Sequence, residues 1–193
     1  MARHKEFDTE RALHKAMEVF WSRGFEAASV DDLVKHMGIN RQSLYDTFGD
    51  KHALYLRALD RYRNIENKRI FATLQRPGSV KHNLKQVFEE TVDRALRDRL
   101  RRGCFVGNAM SEMGGRCSET TDRACNSFAA TEEAFYSTLL RGKKNGEIKR
   151  SGDLRAIARF LYCNLQGLAL LAKATRDRKT LEDIVRVTLS VVN

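Results

Sequence analysis

The stretch from residue 29 to residue 56 constrains the fold more than any other part of the sequence. It begins with Ser29, a residue type that often caps a helix, and Asp32 follows three positions later, as in a carboxylate version of a capping box. Apolar residues then recur at helical spacing, at Val30, Leu33, Val34 and Met37. Gly38 ends this pattern, because glycine adopts the left-handed conformation of a helix end at no steric cost. The pattern predicts a short helix followed by a tight turn.

A second short helix is predicted directly after that turn. Asn40 is its expected cap, and Leu44 and Phe48 lie one turn apart on one face. The other positions carry hydrogen-bonding side chains, namely Arg41, Gln42, Ser43 and Asp46. A short helix with an apolar back and polar groups on its first turn has the chemistry of a helix that reads the major groove of DNA. Together the two helices predict a helix-turn-helix.

The same region resembles the DNA-binding domain of TetR-family transcriptional repressors. A glycine and an aromatic residue end the preceding helix, a serine opens the next helix, a glycine makes the turn, and a Leu-Tyr-x-x-Phe-x-x-Lys signature closes the motif. The residues that carry this pattern are Gly24, Phe25, Ser29, Gly38, Leu44, Tyr45, Phe48 and Lys51. The resemblance implies a homodimer with two DNA-reading heads and an effector site in the C-terminal domain.

The candidate DNA-binding residues follow from their chemistry and from this resemblance. Arg41 and Gln42 can each form two hydrogen bonds with a base edge, to guanine and adenine respectively. Ser43 can bond a base or a phosphate, whereas Tyr45 and Lys51 are expected to contact phosphate. The complete candidate set is Ser29, Asn40, Arg41, Gln42, Ser43, Tyr45 and Lys51. The alternative is an ordinary solvated helix, in which Asn40 is merely a helix cap.

Charge by itself is weak support for DNA binding. The net charge is +10 at pH 7, but residues 1–51 contain eight Lys or Arg residues and nine Asp or Glu residues. The predicted reading head is therefore almost neutral, and most of the positive charge lies further along the chain. Arg3, His4 and Lys5 are either a basic arm for the minor groove or a plain tail.

The remainder of the sequence predicts an all-α protein. It contains a single proline, Pro77, and little strand-like alternation. We expect an N-terminal helix-turn-helix domain over residues 1–51, a connecting helix 4 over about 51–75, and a helical effector-binding and dimerisation domain over 76–193. The predicted helix caps are Asp8, Ser79, Asp153 and Thr180, in addition to Ser29 and Asn40.

One helix of the C-terminal domain predicts a dimer. The stretch Phe160 to Ala172 is apolar almost all round, so it must be buried on more than one side. Together with the apolar C-terminal helix it suggests a four-helix interface between two copies of the chain, to which Leu168 and Leu189 would contribute. The alternative is a central core helix in a monomer.

Aromatic residues, methionine and a few polar groups make a candidate effector pocket in the C-terminal domain. The pocket candidates are Phe88, Val92, Phe105, Asn108, Met113, Phe128 and Tyr136. The same composition is expected of any helical core, and the sequence does not separate the two interpretations. The identity of a small-molecule effector does not follow from it.

The four cysteines, Cys104, Cys117, Cys125 and Cys163, form no CxxC pair, and histidine is scarce near them in sequence. We therefore predict no metal site and no cofactor. Cys104 follows two arginines and a glycine at an expected helix start, a setting that favours thiolate. The segment Arg102-Gly103-Cys104-Phe105 also resembles a subgroup of TetR-like regulators, some of which sense electrophiles or oxidants through a thiol. A buried core cysteine is the alternative.

These features favour a ligand-responsive transcriptional repressor. It would bind a palindromic double-stranded operator as a homodimer and leave it when an effector binds. The absence of a signal peptide or of a long apolar run predicts a cytoplasmic protein that makes no membrane contact. A redox regulator acting through Cys104 is the first alternative. A helical enzyme is a more distant one, because no nucleophile–base pair or phosphate loop is visible.

Overall fold

A computed structural model describes residues 7–149 and 152–192. Within these residues the protein forms nine α-helices and a final 3-10 turn, with no strand, so the all-α prediction is confirmed. No described helix is both long and apolar enough to cross a membrane. The helices are α1 (Thr9–Ala27), α2 (Val30–Met37), α3 (Arg41–Phe48), α4 (Lys51–Leu74), α5 (Val80–Arg97), α6 (Phe105–Met113), α7 (Ser118–Lys144), α8 (Leu154–Ala174) and α9 (Arg178–Leu189), followed by Ser190–Val192.

Helix starts follow the side chains that accept hydrogen bonds from the first free backbone amides. The predicted caps Asp8, Ser29, Asn40, Ser79 and Asp153 are all confirmed. The prediction for the last helix was wrong. Its cap is Asp177, whose carboxylate accepts hydrogen bonds from the amides of Lys179 and Thr180 and from the Thr180 hydroxyl. A carboxylate is the stronger acceptor at a helix N-terminus, and Thr180 therefore lies inside the first turn.

The chain folds into two compact units. The first comprises residues 7–65 with 105–124, and the second comprises residues 66–104 with 125–149 and 152–192. The first unit therefore includes α6 and the start of α7, which a boundary at residue 76 assigns to the C-terminal domain. Ring contacts explain this grouping, because Phe105 on α6 meets Tyr55 and Tyr62 of α4 edge-on, with centroids 5.9 and 5.6 Å apart.

Large buried side chains hold the first unit together. Phe20, Leu33, Leu44, Tyr55 and Phe105 are almost fully buried there. Each comes from a different helix, in the order α1, α2, α3, α4 and α6. The core therefore fixes the two short helices α2 and α3 against longer ones, as an isolated eight-residue helix is not stable in water.

A carboxylate from α6 stabilises a break in α1. At Gly24 the backbone leaves the helical conformation, with φ of 81° and ψ of 178°. The amides of Phe25 and Glu26 then donate hydrogen bonds to Glu112, both at 2.9 Å. A Cβ atom on Gly24 would lie 2.6 Å from a Glu112 oxygen, so both the positive φ and this close approach require glycine. We call this arrangement the Glu112 clamp.

The second unit has its core among α5, α8 and α9. Phe88 and Val92 of α5, Leu161 and Leu168 of α8, and Leu181 of α9 belong to one buried cluster. Glu147 closes the start of α5, because its carboxylate accepts hydrogen bonds from the amides of Val80 and Lys81 and from the Ser79 hydroxyl.

One face of α8 remains exposed although it is almost entirely apolar. The positions on this exposed stripe recur every three or four residues, at Ala156, Phe160, Cys163, Gly167, Leu170 and Ala174. Leu168 is instead 2 % exposed and belongs to the core of its own unit, so the sequence-based choice of Leu168 for an intersubunit contact was wrong. Leu170 lies on the exposed stripe instead, because side chains two positions apart point to different faces of a helix.

We predict that Glu112→Ala destabilises the first unit by about 1–3 kcal/mol, because two backbone amides lose a charged acceptor. The amide of Phe25 is partly buried, so water replaces the lost acceptor only in part. Urea unfolding at fixed protein concentration measures the effect. Glu26→Ala, which removes an exposed carboxylate from the same unit, is the control. Equal unfolding midpoints for the two variants would refute the clamp.

Candidate nucleic-acid interface

The exposed face of α3 carries the residues that the sequence selected as DNA readers. Arg41, Gln42 and Tyr45 are exposed, whereas Leu44 and Phe48 are buried behind them. Asn40 caps the helix and accepts a hydrogen bond from the amide of Ser43 at 2.7 Å. Gly38, with φ of 73°, makes the turn between α2 and α3. The local geometry of a helix-turn-helix is therefore complete.

Carboxylates hold both candidate base-reading side chains. Arg41 forms a 2.6 Å ion pair with Asp31 of α2, and this hydrogen bond raises the pKa of Arg41. Gln42 donates a 2.7 Å hydrogen bond to Asp46 one turn further along α3. Asp31 was not among the residues selected from the sequence. Its position on α2, ten residues before Arg41 on α3, is the feature that could have indicated this ion pair.

A third acid, Asp32, organises the start of α2. It completes a capping box with Ser29 and forms a 2.6 Å ion pair with Arg23. The hydrogen bond from the Ser29 hydroxyl and the contact with Arg23 lower the pKa of Asp32 below its ordinary value. The near-neutral charge of the head therefore reflects acids that pair with basic side chains of the same surface.

Lys51 lies at the start of α4, beside the end of α1. Its ammonium group is 4.5 Å from the centre of the Phe25 ring and 3.4 Å from the carbonyl oxygen of Glu26. Arg57, one and a half turns further along α4, stacks over Phe48 and donates a hydrogen bond to the carbonyl of Thr47. Two cations of α4 thus flank the reading helix. Arg3, His4 and Lys5, the proposed basic arm, lie outside the described residues.

The seven pocket candidates are divided between the two units. Phe105, Asn108 and Met113 lie on α6 in the first unit. The other four lie in the second unit, where Phe88 and Val92 are core residues, Phe128 packs on Tyr162, and Tyr136 lies under the guanidinium of Arg155. Within the second unit, an open groove of about 890 Å³ lies between α5 and α9. Its walls are mainly charged, and Val92 is the one pocket candidate that lines it.

The cysteines differ in their surroundings. Cys104 is half-buried and immediately precedes α6, as expected, and the neighbouring Arg102 forms an ion pair with Asp98 at 3.2 Å. Cys117 precedes α7 and lies in a cluster that the sequence did not reveal. His52, Cys117 and Glu119 each offer one potential ligand atom, and these atoms lie within 4.8 Å of one another.

Comparison with known families covers both parts of the chain. Residues 12–58 match the model for bacterial regulatory proteins of the tetR family. Residues 80–188 match the model for the tetracyclin repressor-like C-terminal domain. The first match contains α2 and α3, and the second contains α5 to α8 and all of α9 except its last residue.

Individual relatives agree with these matches. The HTH-type transcriptional regulator YezE of Bacillus subtilis strain 168 is 41% identical over 195 residues, and the alignment covers 100% of this chain and 100% of YezE. The HTH-type transcriptional repressor ComR of Escherichia coli K12 is 29% identical, with 97% of this chain and 90% of ComR aligned. A cysteine variant of the TetR family regulator CifR, solved with a 26-bp operator duplex, superposes with a TM-score of 0.87 at 29% identity, over 99% of this chain and 100% of CifR.

The exposed helix α3, its glycine turn and its caps thus occur in a chain whose N-terminal and C-terminal parts match the two domain models of one family. The chain belongs to the TetR family of bacterial regulatory proteins, and it is a helix-turn-helix transcriptional regulator.

Proposed function

We propose that this regulator represses transcription by binding a palindromic operator as a homodimer, and that a small molecule bound by residues 76–193 releases it. The observation that carries this proposal is the exposed face of α3, where Arg41, Gln42 and Tyr45 project from a helix whose apolar side is buried. Operator DNA lies in the cytoplasm of a bacterium, and we place the protein there. The complex of CifR with operator DNA supports the choice of partner.

The proposed division of labour follows from side-chain chemistry. Arg41 and Gln42 are the base readers, because each can form two hydrogen bonds with one base edge. Tyr45 and Lys51 are phosphate contacts, and Ser29, Asn40 and Ser43 complete the surface at the starts of α2 and α3.

The paired carboxylates favour specificity over general affinity. Asp31 and Asp46 repel phosphate, so the head gains little from non-specific attraction to the DNA backbone. A correct base must replace the hydrogen bonds that Arg41 and Gln42 already make in the free protein. With an incorrect base, Arg41 and Gln42 stay paired with their own carboxylates and add nothing to the affinity for that sequence.

The exposed stripe on α8 supports the homodimer. Phe160 is 44% exposed and Leu170 is 66% exposed, on a helix whose opposite face is already buried. Gly167 lies between them on the same stripe, and a Cβ atom there would meet nothing within 4 Å in its own chain. A small residue flanked by large apolar ones allows a second helix to approach closely. A symmetric pair of α8 helices would cover this face and bring two reading heads together.

The effector proposal uses linkage. A ligand that favours a head separation unsuited to successive major grooves weakens DNA binding, and DNA then weakens ligand binding by the same factor. Within the second unit, Phe88, Val92, Phe128 and Tyr136 are the apolar candidates for contact with such a ligand. The groove between α5 and α9 is too charged for an apolar ligand.

We predict that Arg41→Ala and Gln42→Ala each cost about 1–3 kcal/mol on the selected operator and relax its sequence preference. Lys51→Ala should weaken all duplexes alike and lower the salt slope of log K by about one. The operator is obtained by selection from random duplexes with the wild-type protein. Fluorescence anisotropy against operator and random DNA at several salt concentrations separates the two classes of contact.

Two outcomes would count against this assignment. Equal loss of operator and random DNA in Arg41→Ala would remove its role as a base reader. Selection that enriches no palindrome would contradict the proposed function as a whole, since a symmetric dimer requires two related half-sites.

We predict that Leu170→Glu converts the dimer to a folded monomer, because the new carboxylate would be buried without a partner in the interface. Leu100→Glu is the matched control, since Leu100 is 68% exposed in the same unit but lies outside α8. Sedimentation equilibrium gives the oligomeric state, and circular dichroism confirms folding. A wild-type monomer at micromolar concentration, or a Leu170→Glu dimer as stable as the control, would exclude this interface.

A further inference from the structure

A hydroxyl group and an imidazole nitrogen face the sulfur of Cys117. The Thr120 hydroxyl, one turn into α7, donates a hydrogen bond to the sulfur at 3.3 Å. The Nε2 atom of His52, on the first turn of α4, is also 3.3 Å from the sulfur. The carbonyl oxygen of Cys117 accepts a hydrogen bond from the amide of Thr121, which places Cys117 at the N-terminal end of α7, a helix of 27 residues. That end carries partial positive charge, which favours a thiolate.

The other ring nitrogen of His52 faces a carboxylate. Nδ1 is 3.8 Å from an oxygen of Glu119, and the sulfur, a carboxylate oxygen and one ring nitrogen lie within 4.8 Å of one another. The 3.3 Å contact between Nε2 and the sulfur suits a proton shared between thiol and imidazole, and the nearby carboxylate of Glu119 would stabilise the imidazolium.

Electrostatics agrees with this geometry. The Thr120 hydrogen bond, assisted by His52, lowers the pKa of Cys117, although partial burial acts in the opposite direction. Cys125 and Cys163 are exposed, and among the described residues neither sulfur has a hydrogen-bonding histidine or hydroxyl partner. Accessibility alone therefore favours these two cysteines, whereas activation favours Cys117. This contrast makes the relative rates of reaction informative.

We propose that Cys117 is a modification site for soft carbon electrophiles, that is, for α,β-unsaturated aldehydes and ketones. The sulfur forms a bond to the β-carbon, and the electron pair of the carbon–carbon double bond moves to the α-carbon. The thiol proton, held on Nε2 of His52, ends on the α-carbon. The product is a saturated carbonyl compound in thioether linkage, and no oxidant or reductant is consumed.

Modification at this position would reach the DNA-binding surface through short contacts. The His52 ring meets the Phe25 ring edge-on, with centroids 5.8 Å apart. The ammonium group of Lys51 in turn lies over the Phe25 ring, 4.5 Å from its centre. An adduct on Cys117 occupies the space next to His52 and displaces the ring, so it moves the groups that position Lys51. Operator affinity falls as a result, and this last step rests on the function proposed above.

The labelling experiment tests the site independently of DNA. The folded wild-type protein is treated briefly with N-ethylmaleimide at neutral pH in the presence of a chelator, and each cysteine is followed by mass spectrometry. Cys117 is expected to react about tenfold faster than Cys125 and Cys163, because Thr120 and His52 favour its thiolate. His52→Asn should reduce this advantage, with Cys125 in the same molecule as the internal rate standard. Labelling of Cys117 no faster than of Cys125 would overturn the proposal.

Anisotropy with the selected operator tests the consequence. The wild-type protein should lose operator affinity in step with labelling of Cys117, whereas Cys117→Ser should bind the operator and show no response to the reagent. Fast labelling without a change in affinity would overturn the link to DNA binding. Failure of the unmodified protein to bind any duplex would refute the proposed function and leave the labelling result standing, so the two failures are distinguishable.

Discussion

One carboxylate determines how the polypeptide enters the DNA-reading motif. Glu112 accepts hydrogen bonds from the amides of Phe25 and Glu26 at the point where Gly24 interrupts α1. Without Glu112, these amides would lose a charged acceptor at a helix break, and the orientation of the next segment would be poorly defined. With it, the ring of Phe25 is directed inward against Phe20 and Tyr55, with centroids 6.4 and 5.0 Å away.

The reading surface depends on this orientation. Phe25 contacts both Lys51 and His52, the first two residues of α4. The clamp therefore positions Lys51, the proposed phosphate contact, together with His52, the proposed activator of the Cys117 thiol. Asp31 and Asp46 in turn restrain Arg41 and Gln42, the proposed base readers. A head of this kind is held in shape by internal pairs and has little free positive charge, and we expect it to depend on base contacts more than on phosphate attraction.

Short-range features of this fold could be predicted from the sequence, because they depend on neighbouring residues. The caps Ser29 and Asn40 and the turn at Gly38 are examples, each determined within four positions along the chain. The missed features join distant segments. Glu112 lies 87 residues from Phe25, and Cys117 lies 65 residues from His52, so a histidine that seemed remote from every cysteine is in fact a neighbour. Helical phase caused the error at Leu168, since an all-round apolar helix does not reveal which side faces its own core.

Amide hydrogen exchange at Phe25 and Glu26 tests the clamp most directly. Both amides lie next to a helix break, and Glu26 is exposed, so they should exchange rapidly unless Glu112 holds them. We predict that they are protected in the wild-type protein and exchange much faster in Glu112→Ala, while the amides in the middle of α4 remain protected in both. Rapid exchange of Phe25 and Glu26 in the wild-type protein, at the rate found in the variant, would contradict the account.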